Sequence, residues 1–169
     1  MDVYDAIHNR RSVRQYADAP VTDSQVERLL RAAMAAPSAG NGRPWRFVVV
    51  RDPDTLARLA VATPYAAPIG RSPVGIVVLA DTDAEKFAGR WPLDCSAAVQ
   101  NLMLAAYAQG LGSCWLGVYP DPEREAEVAQ IIGASDGVAV MCMVSVGVPA
   151  AAGAPVDRYR TDWVHTERW

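Results

Sequence analysis

Residues that commonly bind metals or act as nucleophiles are scarce in this sequence. It contains three cysteines, Cys95, Cys114 and Cys142, and two histidines, His8 and His165. The cysteines form no CxxC pair and have no histidine nearby, so the spacing of a metal site is absent. Neither histidine lies in a recognisable catalytic-triad arrangement. We therefore expect buried, reduced thiols, no metal site and no catalytic side chain, so that a cofactor would supply any chemistry.

Long apolar runs and an excess of positive charge are also lacking. No stretch approaches the roughly 20 consecutive apolar residues that cross a membrane. The net charge of -3 offers no general attraction for nucleic acid. The N-terminal residues MDVYDAIHNRR lack the apolar segment of a secretory signal, and an odd number of cysteines suits a reducing compartment. We therefore expect a cytoplasmic protein that binds neither membranes nor nucleic acid.

The composition is that of one globular domain covering residues 1–169. Hydrophobic residues make up 51% of the 169 and charged residues 21%, which is enough apolar surface for a sizeable core. The last part, residues 149–169, begins as a Pro/Gly/Ala linker and then carries Trp163 and Trp169, which such a tail cannot bury alone. We predict that this C-terminal tail docks on a partner subunit.

Hydrophobic periodicity and turn residues predict alternating helices and strands. Thr22 and Gln25 have the spacing of a capping box, and the nearly continuous apolar run at 74–81 is typical of a strand covered on both faces. Trp45 is expected in the core. The predicted helices cover residues 2–9, 22–36, 54–62, 94–109 and 122–132, the predicted strands cover 46–50, 74–81, 114–119 and 138–148, and residues 63–73 are expected to form an exposed loop.

The strongest local signal for binding is RRSVR, which contains Arg10, Arg11, Ser12 and Arg14. Three guanidiniums and a hydroxyl within five residues, with no acid among them, can grip a phosphate. A structural alternative is equally consistent with the pattern. Arginines stabilise the C-terminus of a helix through its dipole, and these could simply face water.

The turn PSAGNGRPW, residues 37–45, carries more polar groups than a connector needs. Ser38, Asn41 and Arg43 provide hydrogen-bonding groups, and two glycines would let the backbone approach a flat ligand. The alternative is a capped loop between a helix and a strand. The alternative explains the polar residues poorly.

The glycines of GLGSCWLG, residues 110–117, do not form a dinucleotide fingerprint. That motif follows a strand and opens a helix, whereas these glycines follow a predicted helix and precede a predicted strand. A helix C-cap and a sharp turn account for the first two glycines. Gly117, inside the predicted strand, indicates a close approach of the backbone to another group.

Taken in order, the motifs resemble the shorter branch of the FMN-dependent nitroreductase family. They are RRSVRQY near the start, PSAGNGRPW before the first core strand, DCSAAVQNLMLAAYAQGLGSCWLG in the middle, and a basic tail that bears tryptophans. The resemblance covers nearly the whole chain. It implies an α+β fold with a mixed sheet flanked by helices, and an intertwined homodimer that binds two FMN molecules at its interface.

The resemblance also implies which residues contact the flavin. One subunit would hold its phosphate, its ribityl chain and the pyrimidine edge of its ring, and the other subunit would reach the same flavin through the PSAGNGRPW turn. Either of two basic tail residues matches the family's phosphate-binding position, and the choice between them stays open. The implied flavin-binding residues are Arg10, Arg11, Ser12 and Arg14, then Pro37, Ser38, Ala39 and Asn41 from the other subunit, then Cys114, Trp115, Leu116 and Gly117 behind the ring, and Arg158 or Arg160.

Two positions depart from the family pattern. Glutamine is more usual where Arg43 stands, and longer members commonly have glutamate where Leu116 stands. An extra cation near the flavin would raise its midpoint potential or select an anionic substrate, which is our hypothesis for Arg43.

The activity that the resemblance implies is ping-pong electron transfer through flavin N5. NADH or NADPH would be the donor, and a nitroaromatic, a quinone or a similar small molecule would be the acceptor. Three alternatives stay open: a specialised flavin enzyme of the same fold, such as a dehalogenase or a flavin-fragmenting enzyme; a non-catalytic flavin store or sensor; and a colourless phosphate-binding module.

Overall fold

The computed structural model of the protein describes residues 2–151, 153–154 and 156–169. Residues 152 and 155 of the predicted tail, and Met1 of the predicted domain, lie outside the described residues. The helices are α1 (Val3–Asn9), α2 (Asp23–Met34), α3 (Pro53–Val61), α4 (Trp91–Ala108) and α5 (Pro122–Ile132), and the strands are β1 (Trp45–Val50), β2 (Val74–Asp81), β3 (Gly112–Gly117) and β4 (Val138–Gly147).

The four strands form one sheet in the order β1-β2-β4-β3, and every neighbouring pair is antiparallel. Among the described residues, the parallel contact in this sheet is an isolated bridge between Ser12 and Ser113. The predicted α+β class is confirmed. The mixed character expected of the sheet is confined to that bridge, at the outer edge of β3.

The two central strands are buried on both faces, as the apolar run at 74–81 predicted. On β2, Ile76 and Val78 belong to a core that α2 and α4 cover, while Val77 and Leu79 belong to a second core. That second core also contains residues of α3 and α5. The alternation follows from the two-residue period of a strand. Charged groups therefore have room at the edges of the sheet and not at its centre.

Side-chain caps determine where the helices begin. The predicted capping box is present, since the Gln25 N–H donates to Thr22 Oγ1 at 3.2 Å and the Thr22 N–H donates to Gln25 Oε1 at 2.9 Å. Helix α4 starts at Trp91, three residues earlier than predicted. The cause is Glu85, whose carboxylate accepts the N–H groups of Gly89, Arg90 and Trp91 and so satisfies donors at this helix terminus.

The prediction of an exposed loop at residues 63–73 was wrong for half of that segment. Ala66 and Ile69 are fully buried, and a short 3-10 helix covers Ile69–Arg71. The reason lies in β2, where a Cβ added to Gly75 would lie only 2.7 Å from Ile69 Cδ1. The missing side chain makes room for the segment against the sheet, and Tyr65 and Arg71 remain exposed.

The described part of the tail from Val156 to Trp169 is exposed throughout. The ring centroids of His165 and Trp169 are 4.5 Å apart, and Trp163 is 72% exposed. Docking of this tail on a partner subunit stays a prediction. The three cysteines are free and buried, as expected. Across the described residues, every helix is too short or too polar to cross a membrane.

Candidate functional site

The arginine segment, defined as residues 10–17, runs in extended conformation along the edge of the sheet. Helix α1 ends at Asn9, and Arg10 has φ −57° and ψ 133°. The Val13 N–H donates to the Ser113 carbonyl at 2.9 Å, and the Ala17 N–H donates to the Val148 carbonyl at 2.9 Å. The arginines are therefore not simply the last turn of a helix, which was the structural alternative.

Arg10 lies in a small basic hollow of about 200 Å³ where α1 meets the tail. Burial, and then the nearby charges of Arg11 and Arg158, lower the pKa of Arg10. Its Nε is buried and has no hydrogen-bond partner within the described residues. The hollow is lined by Ile7, His8, Arg10, Arg11, Val156, Asp157, Arg158 and Tyr159. Three guanidiniums against one carboxylate are an arrangement that a phosphate would stabilise.

The structure separates the two candidate tail residues. Arg158 lines the hollow with Arg10. Arg160 instead pairs with Asp162, with Arg160 Nε 3.3 Å from Asp162 Oδ1, and its guanidinium lies 5.6 Å from the ring centroid of Trp163. Arg158 is therefore the better candidate for an anion ligand in this chain.

Arg11 has a second role that the sequence did not indicate. Its Nε donates to the Ala154 carbonyl at 2.9 Å, and its Nη1 donates to the His8 carbonyl at 2.8 Å. Only Nη2 is left, buried and without a partner within the described residues. Arg11 thus ties the tail to the end of α1 and shapes the wall of the hollow.

A larger cleft of about 540 Å³ opens beside β3. This volume lies within the usual range for small-molecule sites. A Cβ added to Gly117 would meet nothing within 4 Å, so the strand exposes bare backbone at this point. The cleft is lined by Arg14, by Pro64, Tyr65, Ala67, Pro68 and Arg71, and by Cys114, Trp115, Leu116 and Gly117.

Side chains of the cleft differ in what they offer a ligand. Burial raises the pKa of the Cys114 thiol, although Arg14 acts in the opposite direction, so this group is a neutral wall at physiological pH. Leu116 is buried as well. Tyr65 and Arg71 were missed by sequence reasoning, because both lie far before β3 in the chain. An aromatic residue and an arginine between prolines were the available signal.

The PSAGNGRPW turn is held in an unusual backbone conformation. Gly40, Asn41 and Arg43 have φ angles of 57°, 58° and 52°, a region that residues other than glycine adopt at a cost. The Arg43 N–H donates to Ser38 Oγ at 3.0 Å, and the Ala39 N–H donates to Asp94 Oδ1 at 2.9 Å. These contacts hold the turn against α4.

The glycines of the turn make room for a segment of their own chain, and their approach to a flat ligand stays a prediction. A Cβ on Gly40 would lie 2.9 Å from side-chain atoms of Lys86 and Phe87, and one on Gly42 would lie 3.0 Å from the Ala84 carbonyl oxygen. The glycines admit residues 84–87 of their own chain. Trp45 is buried in the core, as predicted.

The turn and the cleft are not joined within one chain. No described residue from 37 to 43 lines the cleft or the basic hollow. Pro37, Asn41 and Arg43 are exposed, while Ser38 and Ala39 are partly buried. Among the described residues, no group of three or more His, Cys, Asp or Glu side chains could hold a metal ion.

The fold and the site define an α+β protein with a basic hollow and an adjoining cleft at one edge of an antiparallel sheet. The sequence profile of the Nitroreductase family matches residues 7–63 and 60–148. The chain belongs to the nitroreductase family.

Relatives and solved structures agree over the full length. A protein of Methanothermobacter thermautotrophicus, named "Putative NADH dehydrogenase/NAD(P)H nitroreductase", is 39% identical over all of this chain and 88% of its own length. A crystal structure from Parabacteroides distasonis with the same name has a TM-score of 0.95 and 38% identity, covering 99% of this chain and 98% of that one. An FMN-dependent nitroreductase of Clostridium difficile has a TM-score of 0.91 and 27% identity, covering 98% and 99%.

Replacing Asp94 by alanine is expected to destabilise the protein. The change removes a buried, charged acceptor from the Ala39 N–H and from the first turn of α4, so the free energy of unfolding should fall by about 1–3 kcal/mol. Urea unfolding followed by circular dichroism at fixed protein concentration measures it. The control is Asp83→Ala, an exposed carboxylate close by in the chain, expected to change stability by less than about 0.5 kcal/mol. Equal, small effects of both changes would contradict the role given to Asp94.

Proposed function

We propose that the protein is an FMN-dependent NAD(P)H oxidoreductase that reduces nitroaromatics, quinones or similar acceptors. The observation that carries the proposal is the basic hollow of Arg10 and Arg158, joined to the cleft by the arginine segment, whose Arg14 lines the cleft. The named activities of the relatives and the FMN dependence of the Clostridium difficile protein support it.

The residues present fit this cofactor at both of its ends. Arg10 Nε and Arg11 Nη2 are buried guanidinium nitrogens with no partner in the described part of the chain, and they suit a phosphate group. The open backbone at Gly117 suits a flat ring that must come close to a strand. When bound, FMN supplies a two-electron relay that takes a hydride from NAD(P)H at N5 and passes two electrons to the acceptor.

The work of the chain is then placement and electrostatics. Arg10, Arg158 and the neighbouring Ser12 would hold the phosphate and ribityl groups. Arg14 and Arg71 would face the ring edge, and Cys114 to Gly117 would form the wall behind it. No side chain has to exchange a proton with the substrate, because the cofactor carries the electron transfer.

We further propose that the active form is an intertwined homodimer in the cytoplasm. Pro37, Ser38, Ala39 and Asn41 would contact the flavin of the partner subunit. Their absence from the cleft of their own chain supports this arrangement, and so do the exposed tryptophans of the tail. The free, buried thiols support a reducing location.

The purified protein is expected to be yellow and to lose its visible flavin absorbance when NADH or NADPH is added without oxygen. Adding a quinone or a nitroaromatic should then restore the colour. Stopped-flow absorbance measures both half-reactions. A flavin that binds but is not reduced would favour a store or sensor, and a colourless protein that takes up no FMN would contradict the proposal.

Arg10→Ala and Arg158→Ala should each weaken FMN binding by about 10- to 150-fold, since a hydrogen bond to a charged group contributes about 1.5–3 kcal/mol. Titration of the flavin-free protein, followed by flavin fluorescence, measures the effect. Arg160→Ala is the matched control, because Arg160 pairs with Asp162, and it should bind FMN as the wild type does. Undiminished affinity in the first two variants would exclude the hollow as the phosphate site.

Arg43→Gln should lower the flavin midpoint potential if this exposed cation lies near the partner's flavin. An interaction of about 1 kcal/mol corresponds to about 20 mV for a two-electron couple. Dye-equilibration titration measures the potential, and Arg43→Lys, which keeps the charge, is the control. An unchanged potential together with unchanged preference between neutral and anionic acceptors would remove Arg43 from the site.

A further inference from the structure

A partly buried polar relay joins the arginine segment to β4. Tyr16 Oη is 2.7 Å from the Val13 carbonyl oxygen and 2.7 Å from Ser145 Oγ, and 3.3 Å from the Ser145 carbonyl oxygen. Ser145 is fully buried on β4, the strand next to β3. The relay therefore connects the centre of the sheet to the backbone between Ser12 and Arg14.

The chemistry of the groups gives the relay a direction. A carbonyl oxygen can only accept, so the single proton of the Tyr16 hydroxyl goes to Val13, and the Ser145 hydroxyl donates to Tyr16. Burial raises the pKa of Tyr16, so the phenol keeps its proton at any physiological pH. The Val13 N–H already donates to Ser113. Both backbone polar groups of Val13 are thus held, one by β3 and one by Tyr16.

Packing fixes the same residues from the other side. A Cβ on Gly147 would lie 2.7 Å from Tyr16 Cδ1, and one on Gly112 would lie 2.7 Å from Val13 Cβ. Both strands therefore present glycine where the Tyr16 ring and the Val13 side chain rest. Because side chains alternate along an extended segment, a fixed Val13 that packs on β3 directs its neighbours Ser12 and Arg14 to the opposite side.

We propose that Tyr16 is a positioning residue for the phosphate-binding segment, and that the Ser145–Tyr16–Val13 relay sets the selectivity for FMN over riboflavin. This inference rests on the proposed function. Tyr16 itself need not touch the cofactor. Its hydroxyl limits how far Arg10, Ser12 and Arg14 can shift. Only a ligand with a phosphate gains the full binding affinity that these fixed positions provide.

The test compares the affinities of FMN and riboflavin in the wild type and in Tyr16→Phe. Tyr16→Phe removes both the hydrogen bond to Val13 and the one from Ser145. Loss of the bond that holds Val13 should weaken FMN binding by about 2- to 12-fold, while riboflavin affinity changes less than twofold. The selectivity ratio, which is the riboflavin dissociation constant divided by the FMN dissociation constant, should therefore fall. Tyr4→Phe, which removes a hydroxyl from an exposed tyrosine on α1, is the control and should leave the ratio unchanged.

If Tyr16 had a purely structural role, Tyr16→Phe would weaken the binding of FMN and riboflavin equally, or would lower thermal stability alone. Either result would overturn the inference. If Tyr16→Phe does not fold, Ser145→Ala replaces it, since this variant keeps the bond to Val13 and should lower the ratio in the same direction by a smaller factor. An unchanged ratio in Ser145→Ala would then overturn it. If the wild type binds neither flavin, the proposed function is wrong. If the wild type binds FMN and the variants have the same selectivity ratio as the wild type, only the role of the relay is wrong.

Discussion

The burial of β2 and β4 on both faces is the constraint on which the rest of the structure depends. Two strands whose side chains are almost all apolar must be covered by helices on each side, and α2 with α4 and α3 with α5 provide this cover. Such a centre leaves no place for charged groups. The arginines, the bare backbone of β3 and the returning tail consequently meet at an edge of the sheet.

Edge placement explains how distant parts of the chain form one site. The unpaired outer side of β3 is the natural partner for another extended segment, and Val13 uses it through its bond to Ser113. This pairing places the arginine segment alongside β3, so that the segment is part of the site and not the end of a helix. The cleft lies on one side of that segment, and the basic hollow lies at its beginning, where α1 and the tail meet.

Features that depend on near neighbours could be predicted from the sequence. The cap at Thr22 and the double-faced burial of β2 follow from patterns a few residues long, and the structure confirms them. Features that depend on distant neighbours could not. Ile69 is buried only because Gly75 lacks a side chain, and the glycines of the PSAGNGRPW turn make room for residues 84–87. The cleft residue Arg71 was missed for the same reason.

The tether formed by Arg11 also has a consequence for how the site assembles. Its bond to Ala154 joins residues 143 positions apart, whereas the residues that line the cleft end at Gly117 and β3 is held by β4, which ends at Gly147. Closing so long a loop is entropically costly and slow compared with local pairing. A chain that ends after β4 therefore contains every residue of the cleft wall but lacks the tail residues that line the hollow.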